Sequence, residues 1–242
     1  MRLIIDQAAV RSPSGDTLLH PFSFVFRPGL HAILGPNGSG KTTLLRLLAG
    51  VVAPSEGSVA LAAGGKELSF PALKQRIGYV PQEIAVYEDM TAWQYLRYAA
   101  AMKLIPAALI PDRIADIAAR FHLSDLLRRR ISSLSVGTRK LLTVAQAVLN
   151  DPDILLADEL PDMLDPESLS RAADHLRQCA GHSIVLLTTH RLDIVPHLAD
   201  SVLILHRGRL IGSHDPDEIL ERNGGFEQFY LDRIGAARSS LA

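Results

Sequence analysis

The segment Gly35-Pro36-Asn37-Gly38-Ser39-Gly40-Lys41-Thr42 constrains this chain most, because it matches the full pattern G-x-x-x-x-G-K-[ST]. The apolar run His31–Leu34 precedes it, and Lys41–Ala49, with leucines at helical spacing, follows it. A strand, a glycine-rich loop and a helix in this order point backbone N–H groups and a helix N-terminus at one anion. The sequence therefore predicts a loop that holds nucleotide phosphates, with Lys41 at the β and γ phosphates and the Thr42 hydroxyl at Mg²⁺.

Two adjacent carboxylates follow a second apolar run, Ile154–Ala157. This run is short enough to be a strand buried on both faces, which would place Asp158 and Glu159 at its C-terminal end, where parallel α/β sheets bind ligands. Asp158 is suited to the coordination shell of Mg²⁺, and Glu159 is suited to polarising an attacking water. An acidic pair alone more commonly caps a strand end, and the phosphate loop is what favours the catalytic interpretation.

Apolar runs alternate with helical patterns along the rest of the chain. We predict strands at Leu3–Ile5, Phe22–Phe26, Ile77–Val80, Ser183–Thr188 and Val202–Leu205, and helices over Leu141–Leu149, 167–179 and about 215–234. Between about Thr91 and Arg130 the spacing is helical and is interrupted at Pro106 and Pro111. Buried strands that alternate with helices indicate a largely parallel sheet covered by helices, here with a helical insert.

Charge and composition argue against some partners. The formal net charge is −1, so no overall basic field recruits nucleic acid, and Arg128–Arg130 is either a solvated helix end or a contact for an acidic partner. The single cysteine, Cys179, allows no intrachain disulfide and is predicted to be a small core residue. No apolar run approaches the ~18 residues of a membrane-spanning helix. We therefore expect a cytoplasmic chain that relies on other polypeptides for any membrane task.

Six segments resemble, in order and spacing, the ATP-binding subunits of ABC (ATP-binding cassette) transporters over nearly the whole chain. They are the Walker A region from the phosphate loop to Gly57, the Q-loop Arg76–Gln82, the signature Leu134-Ser135-Val136-Gly137-Thr138, the Walker B end Asp158-Glu159, the D-loop Leu164-Asp165 and the H-loop Thr189-His190. The resemblance implies an α/β fold, with a P-loop NTPase core of mostly parallel sheet, a small N-terminal antiparallel β subdomain and a helical insert. It also implies a single domain over 1–242: a RecA-like core with the β subdomain (1–85 and 150–215), a helical subdomain with the signature (about 86–149) and a C-terminal helical tail (about 216–242).

The resemblance further implies that two cassettes dimerise head to tail and trap two ATP molecules. Ser135 and the amide of Gly137 would contact the partner's γ-phosphate, and Asp165 would couple the two sites. Gln82 would sense Mg²⁺ and the membrane partner, and His190 would hold the γ-phosphate and the attacking water. The expected catalytic residues are Glu159, His190 and Lys41; the nucleotide contacts are Gly35, Pro36, Asn37, Gly38, Ser39, Gly40, Lys41, Thr42, Thr43, Gln82, Ser135 and Gly137; and the Mg²⁺ contacts are Thr42, Gln82 and Asp158.

Three places depart from the family pattern. In the signature, usually Leu-Ser-Gly-Gly-Gln, Val136 and Thr138 replace the first glycine and the glutamine, and a β-branched Val136 is expected to restrict the backbone, which leaves slow turnover open. After Glu159, Leu160-Pro161-Asp162 replaces Pro-Thr-Ser, which removes hydroxyls from a dimer contact. Near residues 12–13 the family has an aromatic ring that stacks on adenine; here Arg11 is the alternative stacking group, and weaker selectivity for ATP over GTP is expected.

The segments Tyr87–Leu96 and Phe226–Leu231 resemble the separate ATPase subunits of ABC-2-type export systems. The leading hypothesis is a subunit that binds and hydrolyses ATP with Mg²⁺ and powers a separate transmembrane permease. It would pair with a second cassette as a homodimer or heterodimer, and lie on the inner face of the cell membrane through its permease. Two alternatives stay open: a soluble ABC ATPase outside transport, and a low-turnover regulatory cassette paired with a stronger partner. The cargo does not follow from the sequence, because it would contact the permease.

Overall fold

A computed structural model describes residues 1–68, 74–221 and 225–240 of the chain. Its strands are β1 (Arg2–Arg11), β2 (Thr17–Phe26), β3 (Gly29–Leu34), β4 (Glu56–Ala63), β5 (Lys66–Leu68), β6 (Ile77–Val80), β7 (Ile154–Ala157), β8 (Ile184–Thr188), β9 (Ser201–His206) and β10 (Arg209–His214). Its α-helices are α1 (Lys41–Leu48), α2 (Ala92–Met102), α3 (Ile110–Arg120), α4 (Val136–Ala147), α5 (Pro166–Ala180), α6 (Val195–Leu198), α7 (Pro216–Leu220) and α8 (Gly225–Ser240). Parts of the expected core and tail ranges, residues 69–73, 222–224 and 241–242, lie outside the described residues.

A mostly parallel sheet of order β10-β9-β3-β8-β7-β6 forms the centre of the molecule. β3 pairs in parallel with β8 and β9, β7 pairs in parallel with β6 and β8, and β10 adds an antiparallel edge. Every residue of β7 and β8 is buried, because both faces of the sheet are covered. The predicted α/β class is therefore confirmed.

A second, antiparallel sheet of order β2-β1-β4-β5 confirms the small N-terminal β subdomain. Its first two strands are longer than the predicted Leu3–Ile5 and Phe22–Phe26, and the sequence analysis did not predict β4 or β5. The register of β1 shifts between Ile5 and Ala8, where Gln7 takes a φ of 44°. A bulge of this kind breaks the alternation of apolar and polar residues by which a strand is recognised.

The helical insert differs from its predicted boundaries at two places. Pro111 lies in the first turn of α3 and does not interrupt a helix, because a proline there gives up an N–H group that has no partner within the helix. α4 begins at Val136, five residues before the predicted Leu141, because Ser135 caps it. The first turn of α4 carries no apolar periodicity, so the leucine pattern alone placed the start too late.

Two large apolar clusters cover the faces of the central sheet. One includes Leu96, Phe121 and Leu142 of the insert, and Cys179 packs against it as predicted. The other joins β1, β2 and α1 to the opposite face of the central sheet. Helices and the β subdomain thus cover both faces, and polar side chains collect at the carboxyl ends of the parallel strands. Within the described part of the chain, no helix has the length and hydropathy to cross a bilayer.

Candidate active site

The phosphate loop joins β3 to α1 in a conformation that requires glycine. A β-carbon on Gly35 would lie 2.3 Å from the carbonyl oxygen of Leu205 and 2.4 Å from Oγ of Ser39, so no other residue fits. Gly40 has a φ of 105°, in the left-handed region, and α1 begins at the next residue. The loop therefore ends with the N-terminus of α1 facing its concave side.

Lys41 is the cation of this loop, and only 5% of its surface is exposed. Its Nζ donates to the carbonyls of Gly35 at 2.8 Å and Pro36 at 3.3 Å, and it lies 3.9 Å from Oε1 of Glu159. Burial lowers the pKa of Lys41, while the charges of Glu159 and Asp158 oppose that shift. The ammonium group is thus already oriented toward the predicted catalytic carboxylate.

Asp158, at the end of β7, is 1% exposed and accepts hydrogen bonds through one oxygen only. Its Oδ1 accepts from the hydroxyl of Thr188 at 2.7 Å and from that of Thr42 at 3.3 Å. No described residue donates to its Oδ2, which is also buried. A buried carboxylate oxygen without a donor, beside a threonine hydroxyl, fits the ligand set of a hard divalent cation such as Mg²⁺.

Glu159 has an unusual backbone for its residue type, with φ 46° and ψ 37°. A left-handed conformation at a residue other than glycine costs ~1–3 kcal/mol and persists only where the surroundings hold it. Its N–H donates to Oγ1 of Thr188 at 2.8 Å, and its Oε2 accepts from Nε2 of Gln82 at 2.7 Å. Glu159 is therefore held both at its backbone N–H and at its carboxylate, and the side chain lies in the site.

His190 follows β8 and lies beside the carboxylate of Asp162. In the sequence, Asp162 was identified only as part of a departure from the family pattern. Nε2 of His190 is 3.4 Å from Oδ1 of Asp162, whose carboxylate also accepts from the hydroxyl of Thr189 at 3.3 and 3.4 Å. Burial raises the pKa of Asp162; the charge of His190 opposes that shift and the charge of Glu159 adds to it. The polar atoms of Glu159, Asp162 and His190 lie within 4.8 Å of one another, so they form a second group that could hold a cation.

These side chains surround a cavity of about 640 Å³, a size typical of a small-molecule site. Of the residues predicted to contact the nucleotide or to catalyse hydrolysis, ten line it: Asn37, Gly38, Ser39, Gly40, Lys41, Thr42, Thr43, Gln82, Glu159 and His190. Gly35 and Pro36 contribute their carbonyls to Lys41, and Asp158 lies behind Thr42. The structure thus brings together the Walker A, Q-loop, Walker B and H-loop residues.

Four further residues line the cavity that the sequence analysis did not identify: Thr17, Leu18, Arg207 and Gly208. Arg207 and Gly208 form the turn between β9 and β10, with φ of 47° and 74°, and the N–H of Gly208 donates to the carbonyl of Ser39 at 2.9 Å. Arg11, the expected stacking group, does not line the cavity and pairs with Glu56 at 2.7 Å. In the sequence, the pair Arg207-Gly208 could have indicated a turn between two strands. It was missed because β10 was not predicted.

The signature residues lie outside their own chain's cavity. Ser135 caps α4: its Oγ accepts from the N–H of Thr138 at 3.2 Å and lies 2.8 Å from the Thr138 hydroxyl. Val136 is the exposed first residue of α4. At Gly137 a β-carbon would approach Oδ2 of Asp165 to 2.7 Å, so an alanine there would have to displace that carboxylate.

Known proteins resemble this chain in sequence over most of its length. A family model described as ABC transporter matches residues 19–161. The Nod factor export ATP-binding protein I of Cupriavidus pinatubonensis (strain JMP 134 / LMG 1197) is 31% identical over 243 residues, which cover 98% of this chain and 75% of the relative. The daunorubicin resistance ATP-binding protein DrrA3 of Streptomyces coeruleorubidus is 32% identical over 202 residues, covering 83% of this chain and 64% of the relative.

Solved structures also resemble this fold. One described as the ATP-binding subunit of an ABC transporter superposes with a TM-score of 0.84 at 24% identity, over 96% of this chain and 99% of the other. A dimeric post-hydrolysis state of the ATP-binding cassette MJ0796, bound to ADP and Pi, superposes with a TM-score of 0.78 at 19% identity, over 88% and 98% of the two chains.

Proposed function

The chain belongs to the ABC transporter family as an ATP-binding, ATP-hydrolysing subunit, and from that premise we propose that it closes on ATP with a second cassette and drives a separate permease for export. The observation that carries the proposal is the pair of hydrogen bonds that hold Glu159, from the Gln82 side chain and to the Thr188 hydroxyl. They hold a carboxylate in a strained backbone conformation at the mouth of a phosphate loop. This is the geometry needed to direct a water at a phosphoryl group.

The triphosphate would lie along the loop from Asn37 to Thr43, with Lys41 on the β and γ phosphates. Mg²⁺, when bound, neutralises phosphate charge, and the hydroxyl of Thr42, the free oxygen of Asp158 and the side chain of Gln82 would hold it. Asp158 is fixed for this task, because the Thr188 hydroxyl occupies its other oxygen. The adenine would lie against Leu18 and Arg207, since both residues line the cavity and Arg11 does not.

In the hydrolysis step Glu159 would accept the proton of the attacking water, and Lys41 would stabilise the charge that develops on the γ-phosphate. His190, 60% exposed at the cavity, would contact the γ-phosphate and the water. Asp162 is positioned to orient the imidazole ring. No covalent intermediate is needed, since phosphoryl transfer depends mainly on alignment and charge neutralisation.

The signature would act on a second cassette, either a second copy of this chain or a different one. Ser135 is exposed and does not line the cavity of its own chain, which supports a contact with a nucleotide held by the partner. Asp165 would report on that contact, because it caps α5 through Ser168 and lies against Gly137. In this arrangement 1–85 and 150–215 act as the RecA-like core with its β subdomain, about 86–149 as the helical subdomain, and about 216–242 as the tail.

Export is proposed because two relatives are described as a Nod factor export protein and a daunorubicin resistance protein. The permease would be a separate chain, and this subunit would lie peripherally on the cytoplasmic face of the membrane through it. No nucleic acid enters the proposal. The cargo would be recognised by the permease and is not assigned.

The test is the ATPase rate of the purified chain with and without Mg²⁺, next to Glu159→Gln, with dimerisation followed by light scattering. We expect the wild type to hydrolyse ATP, and Glu159→Gln to lose turnover and form an ATP-dependent dimer. If Glu159→Gln hydrolyses ATP as fast as the wild type, the proposed role of Glu159 is wrong. If neither protein turns over or dimerises alone, but both dimerise with a second cassette and the wild type then hydrolyses ATP faster than Glu159→Gln, the chain works as part of a heterodimer. Failure in that mixture as well would overturn the proposal.

A further inference from the structure

Lys140 is a buried lysine that the mechanism above does not use. It lies in α4 with no exposed surface, and its Nζ donates to the carbonyl of Pro81 at 2.6 Å and to that of Gln82 at 2.9 Å. Lysine is almost never fully buried unless its charge is matched by partners. Here the partners are two consecutive backbone carbonyls of the Q-loop. One of them belongs to Gln82, whose side chain donates to Glu159.

α4 is also the helix that the signature begins. Ser135 caps it and Gly137 lies in its first turn, and Lys140 follows three residues after Gly137, about 4.5 Å along the axis at 1.5 Å per residue. Arg139 adds a second tie between the same regions, because its Nη1 donates to Oε1 of Glu88 at 2.5 Å and its Nη2 to the carbonyl of Ser132 at 2.8 Å. The start of α4 is therefore bound both to the end of the Q-loop, at Pro81 and Gln82, and to Glu88, which follows it.

A continuous path of covalent and hydrogen bonds follows from these contacts. It runs from the signature through one turn of α4 to Lys140, through the backbone of Gln82 to its side chain, and then to Oε2 of Glu159. The connection from the signature to the Gln82 backbone therefore runs through a helical turn and a buried side chain and includes no loop.

We propose that Lys140 is a positioning residue that couples the signature of this chain to its own catalytic carboxylate. When a second cassette's nucleotide engages Ser135 and Gly137, α4 carries the Pro81 and Gln82 carbonyls with it, and the Gln82 amide sets the orientation of Glu159. The inference rests on the proposed function, since it requires Glu159 to be the base and the signature to act on a partner.

The chain contains a control in Lys103, a half-buried lysine outside the active site whose ammonium group is also hydrogen-bonded. Its Nζ donates to Oδ1 of Asn150 at 2.9 Å and to the carbonyl of Ala147, at the opposite end of α4, at 3.3 Å. Replacing Lys103 with methionine removes the same ammonium group and leaves the Ala147 carbonyl and Oδ1 of Asn150 without this donor. It does not touch the Q-loop, so it reports the structural cost alone.

The experiment compares Lys140→Met and Lys103→Met in the full chain, measuring kcat and KM for ATP, the melting temperature and the dimer formed with ATP. Loss of a group that orients a catalytic side chain commonly costs about 10- to 100-fold in activity, and we expect a kcat loss of about tenfold or more for Lys140→Met. KM for ATP should stay within about threefold, because Lys140 does not contact the cavity. Lys103→Met should keep kcat within about twofold of the wild type and should have a melting temperature similar to that of Lys140→Met.

A second measurement covers the case in which Lys140→Met folds poorly. Lys140→Arg retains N–H donors and should recover most of the kcat, and hydrogen exchange of the amides in residues 82–90 should rise in Lys140→Met and not in Lys103→Met. Equal kcat values in the two methionine variants, or a Lys140→Arg variant as slow as Lys140→Met, would overturn the inference. The proposed function would stand in that case, because it fails only through the wild type and Glu159→Gln.

Discussion

Nε2 of Gln82 donates a 2.7 Å hydrogen bond to Oε2 of Glu159, across 77 positions of sequence. Because Oε1 of the same carboxylate lies 3.9 Å from Nζ of Lys41, this bond lets the carboxylate face the phosphate loop without closing a tight ion pair with the lysine. A change at Gln82 therefore alters the orientation of the carboxylate while the loop that holds the phosphates is unaffected.

The Gln82 side chain can be tested directly by removal of its amide. Gln82→Ala is expected to lower kcat about 10- to 100-fold and to weaken ATP binding less than that, because an orienting partner and one Mg²⁺ contact are lost while the phosphate loop is intact. Steady-state ATPase rates and equilibrium ATP binding separate the two effects. Gln146→Ala is the control, since its Nε2 donates at 3.3 Å to the carbonyl of Tyr79 and to no carboxylate. Equal rates in the two variants would contradict the assigned role of Gln82.

Thr188 supports both Walker B residues through a single hydroxyl, which donates to the Asp158 carboxylate and accepts from the backbone N–H of Glu159. Thr188→Val should lower the free energy of unfolding by ~1–3 kcal/mol, because two buried groups lose a partner, and should lower kcat as well. Thr143→Val is the matched variant, since that buried hydroxyl donates to a carbonyl of its own helix. Urea unfolding measures the loss of stability, and ATPase rates measure the loss of kcat. A Thr188→Val protein as active as Thr143→Val would contradict the prediction.

Arg207 is expected to stabilise the adenine base. Arg207→Ala should weaken ATP binding about fivefold, equivalent to ~1 kcal/mol for a cation stacked on an aromatic ring, and leave kcat nearly unchanged. Arg11→Ala should bind ATP like the wild type, because Arg11 pairs with Glu56 away from the cavity. Titration of both variants with ATP and GTP is the measurement. If the loss appears in Arg11→Ala instead, the base lies elsewhere.

Gly137→Ala should displace the Asp165 side chain, because the added β-carbon would come within 2.7 Å of its Oδ2. In a Glu159→Gln background, Gly137→Ala is expected to reduce the ATP-dependent dimer at least tenfold while ATP affinity is retained, since Gly137 does not line its own cavity. Val136→Ala, at an exposed residue of the same turn, should dimerise normally. Light scattering gives the dimer fraction, and an unaffected Gly137→Ala protein would show that this contact is not needed.

The stability of the fold should depend on pH through His175, which is 4% exposed and packs on the ring of Phe121. Burial lowers the pKa of His175 to about 4. A histidine whose folded pKa is depressed stabilises the fold above its unfolded pKa of about 6.5, and this stability is lost as the pH falls toward 4. We expect the free energy of unfolding to fall by about 1–2 kcal/mol between pH 7 and pH 5.

Urea unfolding at the two pH values measures this loss. His175→Gln should show a smaller decrease, and His197→Gln, at an exposed histidine, should behave like the wild type. A wild-type protein equally stable at pH 7 and pH 5 would contradict the assignment to His175.

Much of the fold and of the site followed from short contiguous patterns. β3, the phosphate loop and α1 were predictable because one run of residues supplies the strand, the glycines and the helix. β6 and β7 were predicted at their observed bounds, since strands buried on both faces are continuous apolar runs. The bulged β1 and the polar first turn of α4 were predicted poorly, because there a tertiary contact replaces the periodic signal.

The α/β class, the family resemblance and the residue types at the phosphate loop and the Walker B end could be read from the sequence, because each depends on neighbours in the chain. Three contacts became visible only in the folded molecule: Thr188 supports both Walker B residues, Arg207 and not Arg11 lines the cavity, and Lys140 holds the Q-loop. These contacts join residues tens to hundreds of positions apart. The packing of the sheet and helices sets them, and no local pattern of side chains encodes that packing.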